Sequence, residues 1–374
     1  MDKDRRYEKI MESTLSGRYI HHDHIVPILK KLQSSTKIEE LGISVDGLPI
    51  EKITVGQGPI KILMWSQMHG NESTTTKAVF DLINALTFGY DNAKELLERL
   101  SLVILPMLNP DGALAYTRVN ANGIDLNRDA QDRTQPESKI LRHVFDVFSP
   151  DFCFNLHDQR TIYSAGSAPK PATLSFLSPA ADSARTVTEN RLKGMNLIAA
   201  INEELQKFIP GQIGKYDDAF NANCVGDAFQ MLGTPTILFE AGHFQGDYER
   251  EKTRKYMFMS LWKALELIAF DPMDSNREKA YADIPENKKY FFDILVHNAH
   301  LLNSKLEVGN AVGILYKEQL LKDSIHLQPF IDRTGVLDGY FGHLTYDCLN
   351  PQDMIRLKNN EAIANLINSS LRNK

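Results

Sequence analysis

IKILMWSQMHGNE, residues 60–72, sets an apolar run directly against a polar cluster. Ile60 to Ser66 has the composition of a strand buried on both faces in a mixed or parallel sheet. It ends just before Met68-His69-Gly70-Asn71-Glu72. From Thr74 to Leu86, Ala78, Val79, Leu82, Ile83 and Leu86 recur at helical spacing, which predicts a covering helix. The same order returns three times: Leu102 to Leu108 before Asn109-Pro110-Asp111-Gly112, Phe152 to Leu156 before His157, and Thr236 to Phe239 before Glu240. Helical stretches lie between these runs. Strands that deliver polar residues at their C-terminal ends match open α/β sheets, whose ligand crevice lies beyond the carboxyl ends of the strands.

Upstream, Lys37 to Val45 alternates around Ile38, Leu41, Ile43 and Val45, Asp46-Gly47 offers a tight turn, and Ile50, Ile53 and Val55 continue as a second strand. Downstream, DPMDSNREKAYADIPENKK (residues 271–289) is polar, carries Pro272 and Pro285, and reads as a linker or surface excursion. Short β-like runs follow at Tyr290–Val296, Ala311–Tyr316, Ile325–Phe330 and Gly342–Tyr346, then a helical segment over Asn360–Leu371. The expected organisation is an N-terminal helical segment over 1–36, a main domain over 37–275, and a linker with a small β-rich unit over 276–374. The expected fold class is α/β: a mixed, mostly parallel central sheet flanked by helices.

The chain has 374 residues, 43% hydrophobic and 24% charged, with a net charge of −6. Those proportions exclude a wholly disordered or repetitive chain, and the sign leaves no global basic field for nucleic acid or an anionic membrane. No stretch approaches the roughly 18 apolar residues of a membrane span. Cys153, Cys224 and Cys348 are three, widely spaced and without a CxxC pair, so neither a disulfide framework nor a cysteine zinc site is expected. With no apolar run behind the charged start, a cytoplasmic location is the expectation.

His69 and Glu72 stand three apart where a loop turns into a helix, a spacing that can aim both side chains at one point. Imidazole nitrogen plus carboxylate oxygen is a zinc-type donor set, and His157 supplies a third ligand. Alone, H-x-x-E also fits a surface or loop pair. Here it is followed by NPDG at 109–112, Arg118, GIDLNR at 123–128, the strand-terminal His157 and the strand-terminal Glu240. That ordered series resembles a zinc metallocarboxypeptidase of the carboxypeptidase A type, over about Pro59 to Gly242.

The resemblance implies one zinc ion per chain held by His69, Glu72 and His157, with Asp125 orienting His69. It implies Glu240 as general base and Arg118 as the group facing the scissile carbonyl. Asn127 and Arg128 would hold the terminal carboxylate of the substrate, a task for which the planar guanidinium fork is suited. The family also carries a tyrosine upstream of the last glutamate; Tyr216 is the candidate here, with the hydroxyl-free Phe220 as the competing alignment. Asp129 stands where many relatives have asparagine, and either favours a cationic group or caps the next turn. Gly226, before Asp227, leaves pocket space without a charge.

The implied substrate is a peptide, or an N-acyl amino acid, with a free carboxylate, and no nucleic acid or membrane partner is expected. His69-Gly70-Asn71-Glu72 is also similar to the aspartoacylase and succinylglutamate desuccinylase branch and to murein-peptide amidases; NPDG favours peptide cleavage. A non-catalytic peptide-binding module of the same fold is the rival of another class. His21-His22-Asp23-His24 reads as a solvated loop rather than a second metal site, His243 as a satisfied loop histidine, and Cys153 as a small buried hydrophobe.

Overall fold

The computed structural model describes residues 6–271 and 276–369. Two compact units emerge: the chain up to Gln159 together with Ala172–Asn287, and Arg160–Pro171 together with the chain from Lys288 onward. The N-terminal segment therefore belongs to the first unit, as do residues 276–287, while a short excursion from the main domain joins the second.

The first unit is built on a mixed sheet of strands β1 (Lys37–Ile43), β2 (Pro49–Val55), β3 (Ile60–Trp65), β4 (Leu100–Leu105), β5 (Phe152–Asp158), β6 (Leu174–Leu177), β7 (Ile213–Lys215) and β8 (Thr236–Ala241), in the order β1-β2-β4-β3-β5-β8-β6-β7. The central strands β4, β3, β5 and β8 are mutually parallel, whereas β1, β2 and β6 run antiparallel to a neighbour. The order steps outward from β3 on both sides, to β4 one way and to β5 and β8 the other. A crevice therefore opens beyond the C-terminal ends of β3 and β5.

Alternation along the central strands splits the apolar residues into two cores. Ile62, Met64, Leu102, Ile104, Phe154 and Leu156 face one core, shared with helix α2 (Thr74–Thr87), helix α6 (Glu189–Leu205) and helix α8 (Glu251–Phe270). Leu63, Trp65, Val103, Leu105 and Cys153 face the other, with helix α5 (Pro136–Phe148) and helix α7 (Val225–Met231). Because the strand period is two, His157 and Asn155 leave β5 on the side of Cys153. Burial of both faces explains why these strands read as continuous apolar runs.

The N-terminal segment is tied down by a buried charge network. Asp81 accepts from Tyr7 Oη at 2.7 Å, from Glu12 N at 2.7 Å, and from Arg254 through Nη2 at 2.6 Å and Nε at 2.8 Å. Helix α1 (His22–Leu32) begins inside the histidine run that the sequence suggested was a solvated loop, and Pro27 lies within it. His22 is buried and pairs with Glu51 at 2.8 Å, so this histidine serves packing.

The second unit carries a four-stranded sheet of β9 (Phe291–His297), β10 (Ala311–Leu321), β11 (Ser324–Gly335) and β12 (Phe341–Asp347), in the order β11-β10-β9-β12. β10 and β11 are longer than the apolar runs that marked them, because their outer halves form an exposed hairpin with little hydrophobic signal. Two helices close the unit, Pro351–Asn359 and Glu361–Ser369. The first was missed in the sequence: it has few apolar positions and buries only Leu357. Within 271–289, residues 272–275 lie outside the described residues, and Glu278–Ala282 forms a helical turn with Tyr281 buried.

Candidate metal centre

Two glycines let the histidine loop and the NPDG turn meet. A Cβ on Gly70 would stand 1.9 Å from the backbone carbon of Gly112, and one on Gly112 would strike Asn109. With both absent, the loops pack backbone to backbone. Asn109 locks the arrangement: its Oδ1 accepts from Gly112 N at 2.9 Å, capping helix α4 (Pro110–Ala115), and its Nδ2 donates to Met68 O at 3.2 Å. Gln67 holds the left-handed conformation at φ 49 and is fastened by Nε2 to the carbonyls of Ile20 and Gly70. Such a sparsely populated geometry persists where surrounding bonds impose it.

This framework brings together residues distant in sequence. His69 Nδ1 lies 2.8 Å from Glu72 Oε1, His157 Nδ1 lies 2.8 Å from Glu72 Oε2, and the two Nδ1 atoms are 3.1 Å apart. All three residues are buried, and their ligand atoms lie within 4.8 Å of one another. Among the described residues they are the one group of three or more such side chains close enough to hold a metal ion. His69 Nε2 is 3.0 Å from Asp125 Oδ1, and Arg118 Nε donates to Asp125 Oδ2 at 3.0 Å. Asp158 N donates to Glu72 Oε2 at 3.1 Å, while the Asp158 carboxylate accepts from Thr74 N and Thr75 N at the start of α2.

The electrostatics suit a cation. Burial opposes ionisation of Glu72, but the two imidazoles outweigh it and hold the carboxyl well below its usual range. Asp125 is likewise held low against burial, by His69 and Arg118. Burial pushes His157 down, keeping it neutral as a ligand must be. Burial opposes protonation of His69, but the Glu72 and Asp125 carboxylates outweigh it and raise its proton affinity, and its Nδ1 faces a second imidazole and a carboxylate. Such convergence calls for a positive centre. Two nitrogens and a carboxylate, one imidazole oriented by an outer carboxylate, match a catalytic zinc site.

Residues 25–151 match the zinc carboxypeptidase family model. Over that third of its length the chain resembles the zinc carboxypeptidase family. Carboxypeptidase 2 of Trichophyton rubrum is 28% identical over 188 residues, which cover 49% of this chain and 33% of that protein. The match thus spans about a third of the length of that curated relative. Two solved structures share the fold: a metallo-carboxypeptidase from Burkholderia cenocepacia, at TM-score 0.54 and 20% identity over 67% of this chain and 69% of that one, and carboxypeptidase A from Helicoverpa armigera, at TM-score 0.55 and 15% identity over 75% and 81%.

Within this zinc carboxypeptidase fold, Glu240 is in register with His157 across the parallel β5–β8 pair, so both side chains leave the same face side by side. Burial, with the charges of Glu72 and Asp158, pushes its carboxyl well above the ordinary range. Arg118 is half-exposed and reaches Glu72 Oε1 at 3.5 Å. Asn127 Oδ1 accepts from Val225 N at 3.0 Å, anchoring the loop to α7, and Arg128 is exposed beside Cys224 Sγ at 2.9 Å. Tyr216 Oη donates to Gln159 Oε1 at 2.8 Å, which brings the phenol to the loop leaving β5, two residues beyond His157. Asp129 is a cap: it accepts from Thr134 N, Thr134 Oγ1 and Gln135 N at the entrance to α5.

Two contributors escaped the sequence reading. Asp158 follows His157 directly and joins β5 to α2. Arg250, buried and at φ 62, donates to the carbonyls of Ala241, Gly242 and Gln159, and so ties together the strand ends that carry Glu240 and His157. A lone arginine in a loop gives no signal of this in the sequence. His243 is buried against Tyr248, with ring centroids 4.7 Å apart, and Cys153 is fully buried in the core beneath His157.

Proposed function

We propose that the protein is a zinc-dependent metallocarboxypeptidase that releases C-terminal residues from peptides. The observation that carries this reading is the convergence of His69, Glu72 and His157, with Glu240 in register beside them. Bound zinc supplies Lewis acidity, making water a nucleophile at neutral pH and polarising the scissile carbonyl. Glu240 takes a proton from the attacking water and returns it to the leaving amine as the C–N bond breaks. Arg118 stabilises the oxyanion that forms on the carbonyl. Asn127 and the exposed Arg128 receive the substrate's terminal carboxylate, and Tyr216 closes against it from the Gln159 side.

A cytoplasmic setting belongs to the same proposal, supported by three free thiols. Among the described residues no helix is long and apolar enough to cross a membrane. Two measurements test the function. Elemental analysis should find one equivalent of zinc, absent in His69→Ala; a protein without zinc removes both the enzyme and its mechanism. Blocked dipeptides should release free C-terminal amino acids faster than N-acyl amino acids release acetate or succinate; the opposite ratio would reassign the protein to deacylation.

A further inference from the structure

A cavity of about 190 Å³ opens in the layer of α2, α6 and α8, lined by α8, the turn after α2 and the segment following α6. His157 leaves the other face of the sheet, so the cavity stands apart from the metal centre. It is smaller than the roughly 300–1,000 Å³ of pockets for drug-sized ligands, and so suits a ligand the size of one amino acid. Its inner wall is apolar. Phe258 and Trp262 of α8 are buried, and the half-buried ring of Tyr90 stands across them at 81° and 84°, with centroids 5.8 and 5.0 Å away. Met259 and Phe208 extend this wall. Rings that meet at a corner offer both faces and edges to a further apolar group.

Charge around the cavity comes in both signs. Lys263 and Glu266 stand three residues apart on α8, with Nζ 3.6 Å from Oε2 and side chains 30% and 31% exposed. That separation is too long for a hydrogen bond, so each retains bonding capacity for a third group. Asp91 and Glu204 are engaged elsewhere, by Arg6 and by Lys207, each at 2.6 Å. Lys255 lies two turns before Lys263, about 12 Å along the helix, too far to meet the same head group. Burial, with the charges of Asp91 and Glu266, pushes the Tyr90 phenol up, so it stays a neutral donor beside the Lys263–Glu266 pair.

We propose that this cavity binds a free α-amino acid with a large apolar side chain. The ligand's carboxylate pairs with Lys263 and its ammonium with Glu266, so four charges of alternating sign close on one another. Its side chain lies against Tyr90, Phe258 and Trp262. A residue within a peptide lacks one or both of the head-group charges, and glycine lacks the apolar body. Free amino acids are also the product class of the reaction proposed above, but the inference goes beyond that reaction and needs only the cavity.

The test titrates L-phenylalanine into the full chain by calorimetry, and into a Trp65→Phe variant whose indole fluorescence then reports on Trp262, the other of the two tryptophans. We expect saturable binding with a change in Trp262 emission. N-acetyl-phenylalanine and phenylalanine amide should each bind about tenfold or more weakly, the scale of one charge-assisted hydrogen bond. Lys263→Met and Glu266→Gln should each weaken phenylalanine by a similar factor. Arg128→Ala, at the metal centre, should leave the Trp262 response unchanged. Absence of saturable binding at millimolar phenylalanine overturns the inference. So does equal binding of the acetylated and amidated compounds, or binding that survives Lys263→Met and Glu266→Gln. Loss of the Trp262 response in Arg128→Ala overturns it too, since phenylalanine would then occupy the metal centre alone. None of these readings uses turnover, so a failure of the peptidase function shows itself separately, in the peptide assays.

Discussion

His69 Nε2 and Asp125 Oδ1 stand 3.0 Å apart, and that bond decides which imidazole nitrogen faces Glu72 and His157. Asp125 is itself held by Arg118 at 3.0 Å and accepts from Asn127 N at 2.9 Å. One carboxylate thus couples His69, a proposed metal ligand, to the segment that carries Asn127 and Arg128.

Asp125→Asn should therefore weaken zinc binding by about 10–100-fold, because a neutral amide orients the imidazole without raising its basicity. Competition with a metal chelator measures this. Unchanged affinity would mean that the His69–Asp125 bond contributes nothing to metal binding.

Glu240→Gln should retain one equivalent of zinc and lose hydrolysis by at least about 10²–10⁴-fold, the usual contribution of a positioned acid–base group. Paired zinc analysis and peptide kinetics report both quantities. Turnover near the wild-type rate would remove Glu240 from the chemistry.

Asp227 predicts a pH effect on stability. Burial pushes its carboxyl from 3.8 up to about 6, against the hydrogen bond from Asn221 N and the charges of Arg128 and Arg191. Below the unfolded value both states hold the proton and the group contributes nothing. As pH rises from 3.8 to about 6 the unfolded chain ionises first, so folding loses stability, and the loss persists at higher pH. Asp227→Asn should then be more stable than wild type by about 2 kcal/mol at pH 7, allowing for solvent screening, with no difference near pH 3. Denaturant titrations at the two pH values test this; a gain independent of pH would contradict it.

Asp81 and Arg254 are 0% and 1% exposed at the side chain and joined at 2.6 Å. Asp81→Ala leaves the buried Arg254 guanidinium with the partly exposed Glu251 as its carboxylate partner and also removes the acceptor for Tyr7 and Glu12, so it should cost about 3 kcal/mol. Urea unfolding reads the loss. A cost below about 1 kcal/mol would show that the N-terminal segment is held mainly by its apolar contacts.

The legible parts of the fold were those with strong periodicity. β3, β4 and β5 are buried on both faces, and these runs and β8 each end in polar residues, so a linear reading found the strands, while the order of those polar residues carried the resemblance that implied the ligands. The helix His22–Leu32 was obscured by Pro27 and a histidine run, since the burial of His22 comes from Glu51 on another element. Asp129 could be read either as a specificity residue or as a cap, and its three hydrogen bonds at 134–135 settle it as a cap.

Sequence by itself determined the strand-then-polar order, which depends on local periodicity, and its ordered motifs carried the resemblance that implied roles for His69, Glu72, His157, Glu240 and Arg118. Tertiary structure alone decided that both imidazoles present Nδ1 and that Arg250 fastens the strand ends. Each of those facts depends on the register between strands far apart in the chain, and register follows from the packing of whole faces rather than from any short stretch of residues.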